Sequence, residues 1–352
     1  MSDQMGRLSS DLSQLAVVIP CHNEEDTILK VVDSLPKGLG QWLVVDNGSS
    51  SSCRRLLQEH LAAEHLISVE EPLGVGGAFL KGCEKLEDHI RWICKLDGDD
   101  QFADVELETF LAKATISGAE LVKTARCNRL GWGIEPQRSL SRHWGNQLVT
   151  LALALASGYY LLEDGTSGLF VIERSALEAV SAWGGVRRDH GFETSLLINL
   201  GCLGANLLEL RIPIRYNQYR RHTFQARAMV LPLLGCLWRG LNARLLGTHL
   251  MYRFSAGGVL LLSSIGLLGA GAALTALATI KALHMGAPTT PGISAAATSL
   301  MSLGILAGIG FFSYDFASTF RRYRNATFFD CWQPMATQGI HATRNDQPKR
   351  PS

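Results

Sequence analysis

Three carboxylates lie close together after an apolar run, in the segment ICKLDGDDQF of residues 93–102. They would repel one another unless water screens them in an open turn or a cation binds them. Alternate residues of an extended segment face one side, so Asp97, Asp99 and Gln101 would point together. Asp100 would face the other side. Two carboxylates and an amide oxygen suit Mg²⁺ or Mn²⁺, but a lone D-x-D pair leaves both alternatives open.

Two further polar clusters follow apolar runs nearer the N-terminus, in PCHNEED and VVDNGSSSS. Asp46 of the second cluster is placed to accept hydrogen bonds from a base or a ribose. The first cluster offers Asn23 and Glu24 next to Pro20 on the same predicted strand end. Ordinary turn and helix-capping chemistry accounts for the serines. We therefore expect a nucleotide-binding edge that includes Asp46.

The glycine-rich segment PLGVGGAFLKG opens a predicted helix. Its glycine spacing does not match a dinucleotide-binding fingerprint, and no Walker lysine follows. We expect a loop, including Gly76, that approaches the nucleotide closely.

Apolar strand-like runs alternate with amphipathic runs through the N-terminal half. The predicted strands LAVVI, WLVVD, LISVEE and RWICKLD are separated by helical segments, and the second half repeats the alternation less regularly. Such alternation predicts an α/β fold with a mostly parallel sheet covered by helices on both faces. Ligands of these sheets bind at the carboxyl ends of the strands, where the polar clusters fall.

Two long uncharged runs, residues 256–280 and 292–314, stand near the C-terminus. Each exceeds the roughly 20 residues that cross a bilayer as a helix, so the pair predicts a transmembrane hairpin, with buried core helices as the alternative. Arg253 precedes the first run, and Arg321, Arg322 and Arg324 follow the second. The positive-inside bias therefore places both ends and the N-terminal bulk in the cytoplasm.

The segment 225–250 combines apolar residues at near-helical spacing with Arg227, Arg239 and Arg244. It predicts an interfacial helix against anionic lipid headgroups, and an ordinary core helix is the alternative. The N-terminus shows no signal-peptide pattern. The expected organisation is a tail, a catalytic domain, juxtamembrane helices, a hairpin and a cytoplasmic tail, at residues 1–13, 14–222, 223–253, 254–316 and 317–352.

The formal net charge of +1 gives no reason to expect nucleic-acid binding. The eight cysteines show no C-x-x-C pair, so in a cytoplasmic domain we expect reduced core residues with neither disulfides nor a zinc site.

Taken in order, VVIPCHNEE, VVDNGS, PLGVGGAFLKG, KLDGDDQF, EDGTSGLFVIER and GFETSLL…LELRIPIRY resemble the motifs of family 2 glycosyltransferases. The likeness covers about residues 14–220. It points to the branch of dolichyl-phosphate mannose synthases and bacterial polyprenyl-phosphate glycosyltransferases. The resemblance implies a GT-A fold, a UDP- or GDP-linked sugar donor, and Mg²⁺ or Mn²⁺ at Asp97, Asp99 and Gln101. It further implies an integral membrane protein of a bacterial inner membrane, a hexosyltransferase that could assemble as a homo-oligomer.

The resemblance also assigns expected roles to individual residues. Arg138 and Arg142 are four positions apart and would share a helix face, and Asp164 lies in a D-x-x-S-G turn. The catalytic candidates are Asp99, Asp164, Arg126 and Arg142; the nucleotide-binding candidates are Pro20, Asn23, Glu24, Asp46, Gly76 and Asp97; and the acceptor-phosphate candidates are Arg138, Arg220, Arg221 and Glu193.

Three departures from the family pattern bear on substrate choice. Asn47 stands where many relatives carry a second Asp, Phe170 replaces a common Arg, and QYRRHTF replaces an R-x-x-G-x-S-K stretch. The leading prediction is inverting sugar transfer from a nucleotide sugar to polyprenyl phosphate. The alternatives are transfer to a hydroxyl of another lipid or glycan, with Asp164 or Glu193 as general base, and a catalytically idle membrane scaffold.

Overall fold

A computed structural model describes residues 11–102, 106–127, 140–189, 191–213, 226–251, 254–286, 288–319 and 323–325. For residues 127, 140–143, 213, 226–231 and 323–325 the description covers the backbone alone.

Within these described residues, eight strands form one sheet, in the order β3-β2-β1-β4-β6-β5-β7-β8. The pairs that involve β6 are antiparallel, and the other pairs are parallel. This arrangement confirms the predicted α/β fold with a mostly parallel sheet. The strands are β1 Leu15–Cys21, β2 Gln41–Asn47, β3 Leu66–Val69, β4 Trp92–Lys95, β5 Leu121–Cys127, β6 Phe170–Glu173, β7 Leu207–Pro213 and β8 Tyr323–Asn325.

Helices cover both faces of the sheet, as predicted. Strand β1 lies between β2 and β4 and is buried on both faces, which explains its nearly continuous apolar sequence. The N-terminal domain helices are α1 Ile28–Asp33, α2 Ser51–His60, α3 Gly74–Cys83, α4 Leu107–Ser117, α5 Leu140–Ser157, α6 Arg174–Trp183 and α7 Phe192–Leu203.

The two hydrophobic cores divide these helices between the faces. Side chains of α1, α2 and α4 pack on one face. Side chains of α3, α5, α6 and α7 pack on the other, together with Leu237 from the next helix along the chain.

That next helix, α8, spans Ala226–Leu246 and continues into a π-helical turn, Gly247–Met251. It packs on α5 and α7 through its inner face, where Gly240 lies against Ile198. The sequence placed Arg244 among bases facing lipid headgroups, and this placement is wrong. Arg244 is buried and pairs with Asp315, because an arginine on the inner face of the helix needs an internal anion.

Two long apolar helices, α9 Ala256–Met285 and α10 Pro291–Thr319, pack against each other as a hairpin. Both are long and apolar enough to cross a membrane, and few of their residues are buried. Small residues allow the close approach, since Gly271 lies against Met301 and Gly304 against Leu268. After α10 the chain returns to the sheet, where β8 pairs with β7. The chain is therefore connected to the α/β domain on both sides of the hairpin, through α8 before it and through β8 after it.

Candidate active site

The loops that follow β1 and β2 are bound to each other by short hydrogen bonds. The Asn23 backbone N–H donates to Ser49 Oγ (3.1 Å), and the Ser50 N–H donates to Asn23 Oδ1 (2.7 Å). Asn23 has a φ of 58°, a left-handed conformation that asparagine tolerates better than most residues. His22 Nδ1 donates to the carbonyl oxygen of Asn47 (2.9 Å). The two predicted nucleotide-binding clusters thus form one continuous surface at the strand ends.

Asp46 is fully buried beneath this surface. One carboxylate oxygen accepts the Ser49 N–H (3.0 Å), and the other accepts Arg54 Nε (3.1 Å). Asn47, which departs from the family pattern, accepts the Leu73 N–H (2.7 Å) and ties the glycine-rich segment to β2. In this structure Asp46 and Asn47 therefore fix the backbone conformation of the loops at this edge of the sheet.

Gly76 lies at a close approach between helices. A Cβ at Gly76 would lie 2.5 Å from the Phe192 ring, so the missing side chain permits α3 to pack on α7. Gly74, at a φ of 77°, begins α3 directly beneath the carbonyl of Arg188, which accepts the Gly77 N–H (2.9 Å). The glycines therefore serve helix packing in this structure.

Residues 97–101, which carry the three clustered carboxylates and are called the acid turn below, are not extended. Strand β4 ends at Lys95, residues 98–102 form turns, and Asp100 has a φ of 60°. The predicted extended conformation of residues 97–101 is therefore wrong, because the chain turns at the left-handed residue Asp100. Asp99 and Gln101 are nonetheless both buried, at 7% and 8% exposure.

The acid turn lies beside the β1 loop. Thr27 Oγ donates to the Gly98 carbonyl (2.7 Å). A Cβ at Gly98 would lie 3.7 Å from the Pro20 carbonyl and 3.8 Å from Glu24 Cβ. The structure therefore brings the candidates from β1, β2 and β4 to one edge of the sheet.

Lys95 is a buried cation that the sequence reasoning missed. Its side chain is 1% exposed, and Nζ donates to Asp97 (2.6 Å) and to the Gly168 carbonyl (3.2 Å) and pairs with Glu193 (3.0 Å). Burial alone would lower the pKa of Lys95, but the carboxylates of Asp97 and Glu193 raise it above its ordinary value. The only signal in the sequence was a lysine in an otherwise apolar strand.

Lys95 joins three motifs that are distant in sequence. It contacts the acid turn through Asp97, the D-x-x-S-G turn through the Gly168 carbonyl, and the start of α7 through Glu193. Asp97 also lies directly on Gly168, where a Cβ would collide with its carboxylate. The predicted acceptor-side residue Glu193 is thus held beside Asp97 by a shared cation.

A second buried lysine shapes the turn that carries Asp164. Lys123 of β5 pairs with Glu209 (3.0 Å), its register partner on β7, and donates to the Asp164 carbonyl. Glu209 accepts the Glu163 N–H (2.8 Å). The pair was also missed, and it fixes the backbone on either side of Asp164.

Asp164 and Arg126 form a two-point ion pair. Arg126 Nε donates to one carboxylate oxygen (2.6 Å) and a terminal nitrogen donates to the other (2.9 Å). Burial alone would raise the pKa of Asp164, but the hydrogen bonds and charge of Arg126 lower it well below its usual range. At neutral pH Asp164 is a paired anion and a poor proton acceptor.

The remaining candidates are arginines of the acceptor side. Arg142 lies in the first turn of α5, and its side chain is outside the described residues. Arg138, Arg220 and Arg221 lie outside the described residues altogether.

The donor set of the acid turn fits a hard divalent cation chemically. Asp97, Asp99 and Gln101 offer carboxylate and amide oxygens, the ligand type that Mg²⁺ and Mn²⁺ select. Among the described residues no group of three or more His, Cys, Asp or Glu side chains is placed to hold a metal. Two carboxylates with one amide would leave coordination positions for water or phosphate.

Comparison with known proteins agrees with this geometry. Residues 16–181 match the sequence model of glycosyl transferase family 2. An uncharacterized protein of Methanocaldococcus jannaschii is 26% identical over 210 residues, which are 58% of this chain and 89% of that protein. The undecaprenyl-phosphate 4-deoxy-4-formamido-L-arabinose transferase of Klebsiella pneumoniae is 29% identical over 157 residues, 42% of this chain. The match spans only 45% of that transferase.

The fold has a solved counterpart. Glucosyl-3-phosphoglycerate synthase from Mycobacterium tuberculosis, in complex with uridine diphosphate, superposes with a TM-score of 0.50 at 21% identity, covering 67% of this chain and 84% of that one. This likeness concerns the fold, and it confirms the predicted GT-A architecture. The predicted enzyme class, a glycosyltransferase, is confirmed by the family match. Residues 16–181, a little under half of this chain, are therefore similar to glycosyl transferase family 2.

Proposed function

We propose that the protein transfers a sugar, with inversion, from a UDP- or GDP-sugar to a polyprenyl phosphate at the cytoplasmic face of a membrane. The observation that carries the proposal concerns the two carboxylates that could act as general base toward a hydroxyl acceptor. Both are held in ion pairs. Asp164 is paired with Arg126, and Glu193 is paired with Lys95. A lipid phosphate needs no base, because its attacking oxygen is already an anion near neutral pH.

The reaction follows from this acceptor. A phosphate oxygen attacks the anomeric carbon from the face opposite the leaving group. The bond from that carbon to the diphosphate oxygen breaks, and a nucleoside diphosphate departs without proton transfer. Bound Mg²⁺ or Mn²⁺ would stabilise the negative charge on the diphosphate. Asp99, Gln101 and Asp97 would hold the cation, and Lys95 fixes one oxygen of Asp97 in place.

The strand-end loops would receive the nucleotide. Asn23 and Glu24 lie on the surface that Asp46 supports from below. Arg126 would contribute positive charge near the transferred group, and Asp164 orients its guanidinium. We assign Arg138, Arg142, Arg220 and Arg221 to the acceptor phosphate on their positions in the family pattern.

A membrane location supports a lipid acceptor. Helices α9 and α10 are long enough to cross a bilayer, and β8 returns the chain to the catalytic sheet. The arginines that flank the hairpin would place the site in the cytoplasm. The Klebsiella relative is an undecaprenyl-phosphate transferase, and undecaprenyl phosphate belongs to the acceptor class proposed for this protein.

The proposal is tested with the purified full chain, Mg²⁺ or Mn²⁺, undecaprenyl phosphate and a panel of nucleotide sugars. Mass spectrometry should detect a glycosylated lipid phosphate with at least one donor. Asp99→Asn should lower the rate on the order of 100-fold, the scale seen when one stabilising group of a transition state is removed.

Asp100→Asn is the matched control, because asparagine accepts its left-handed conformation. It should retain activity. Absence of product with every donor, or equal activity of the Asp99 and Asp100 variants, would contradict the proposal.

A further inference from the structure

Helix α5 exposes one apolar face. Trp144, Leu148, Leu151 and Leu155 are 64%, 65%, 58% and 36% exposed. Their spacing of four, three and four residues places them along one side of the helix. Isolated exposed leucines are common, but an ordered stripe of large apolar side chains marks an interaction surface.

The opposite face of α5 forms a wall of the candidate site. Thr150 Oγ accepts the Gly165 N–H (3.2 Å), and Asn146 Oδ1 accepts the Thr166 hydroxyl (2.8 Å). Both contacts hold the turn that carries Asp164. A single helix therefore has the acceptor side of the site on one face and the apolar stripe on the other.

The last turn of α5 is fixed to the base of the hairpin. Arg244 donates to the carbonyls of Leu155 (2.9 Å) and Ala156 (3.2 Å), and pairs with Asp315 of α10 (3.0 Å). His249 Nε2 contacts the same carboxylate (2.9 Å), and the Tyr160 hydroxyl donates to it. Asp315 directly follows the apolar run 292–314, so the stripe begins where the proposed membrane span ends.

The segment that leads into the hairpin, which packs on α5, also exposes large apolar side chains. Helix α8 exposes Leu234 (53%) and Trp238 (67%), and the junction before α9 exposes Met251 (80%) and Phe254 (70%). Tryptophan favours the membrane interface, where its ring meets both acyl chains and headgroups. We call the α5 stripe together with these side chains the apolar platform.

We infer that the apolar platform lies in the headgroup–acyl boundary of the bilayer that α9 and α10 cross, with the α5 stripe against phospholipid acyl chains. Continuity with the hairpin through Arg244 selects lipid as the occupant. This inference rests on the proposed membrane location, and it adds a second, monotopic contact. It places the Asp164 turn at the level of the lipid headgroups, where an acceptor phosphate resides.

Nitroxide accessibility tests the inference in the full chain, reconstituted in nanodiscs of phosphatidylethanolamine and phosphatidylglycerol. Leu148→Cys and Leu151→Cys would carry the label. Ile116→Cys on α4 is the matched control, since it is 72% exposed and its helix packs on the opposite face of the sheet. The signal of labelled protein without these substitutions is subtracted. Labels at 148 and 151 should collide mainly with oxygen, and the label at 116 mainly with a water-soluble nickel chelate.

A label at Leu262→Cys, on the exposed side of α9, separates the two claims. If position 262 favours oxygen but 148 and 151 resemble 116, the inference fails and the hairpin stands. If 262 also favours nickel, the membrane location fails with it. Dipolar broadening between labels at position 148 would show that a second copy of the chain, and not lipid, covers the stripe. That result would also overturn the inference.

Discussion

At the scale of single residues, the site depends on two buried lysines that pair with acids from distant parts of the chain. Lys95 joins Asp97 and Glu193, and Lys123 joins Glu209 to the Asp164 backbone. A buried charge without its partner is costly, whereas a satisfied pair is close to neutral. These lysines therefore fix the geometry of the carboxylates more than they add stability.

Removing Lys95 should destabilise the domain. In Lys95→Met the acids Asp97 and Glu193 lose their shared cation, and loss of one partner of a buried pair costs about 3–5 kcal/mol. Thermal unfolding should show a clear drop in melting temperature. Lys81→Met removes an exposed pair with Glu84, worth at most about 1 kcal/mol, and should change little. Equal melting temperatures for the two variants would show that Lys95 does not hold the site.

The Asp164–Arg126 pair should make stability depend on acid pH. The folded pKa of Asp164 lies below that of the unfolded chain, so its contribution is complete above the unfolded value of about 4. This contribution to the free energy of unfolding is lost as the pH falls from the unfolded pKa toward the folded pKa. The difference in unfolding free energy between the wild type and Asp164→Asn should be constant from pH 5 to 7 and shrink between about pH 4 and 2. Denaturant titrations at several pH values measure it, and a difference that grows toward low pH would contradict the assignment.

At the scale of elements, the sequence predicted what depends on local pattern. The strands β1, β2 and β4 and the convergence of their loops follow from apolar runs that end in polar clusters. The strand β6 was predicted, but its antiparallel direction was not, because direction depends on pairing across the sheet. The helices α4 and α6 were not predicted. The burial of Lys95 and Arg244 was not predicted either, because their partners Glu193 and Asp315 lie 98 and 71 positions away in the sequence.

The Arg244–Asp315 contact should hold the hairpin on the catalytic domain. Asp315→Asn leaves Arg244 buried without an anion and weakens the contact of His249. Hydrogen exchange of the reconstituted protein should then be faster in the turn Gly247–Met251 and in the last turn of α5.

Ser318→Ala is the control, because Ser318 is an exposed residue of the same helix whose hydroxyl donates to the Asp315 backbone carbonyl and not to its carboxylate. It should leave exchange unchanged. Wild-type exchange in Asp315→Asn would show that other contacts fix the hairpin.

At the scale of the whole molecule, the proposed membrane contact of the glycosyltransferase domain has two parts. The hairpin and the apolar platform lie on the side of α5 and α8, and the turn with Asp164 lies on the inner face of α5. Such an arrangement suits an acceptor whose phosphate is at the membrane surface and whose tail remains in lipid.

The most direct measurement compares two acceptors that share one tail. With the active nucleotide sugar, undecaprenyl phosphate should yield a glycosyl phosphate lipid, and undecaprenol should yield no product, because Asp164 and Glu193 are engaged in ion pairs and do not act as bases. Mass spectrometry of the extracted lipids reads both products. Glycosylated undecaprenol formed at a rate similar to that of the phosphate product would contradict the central claim.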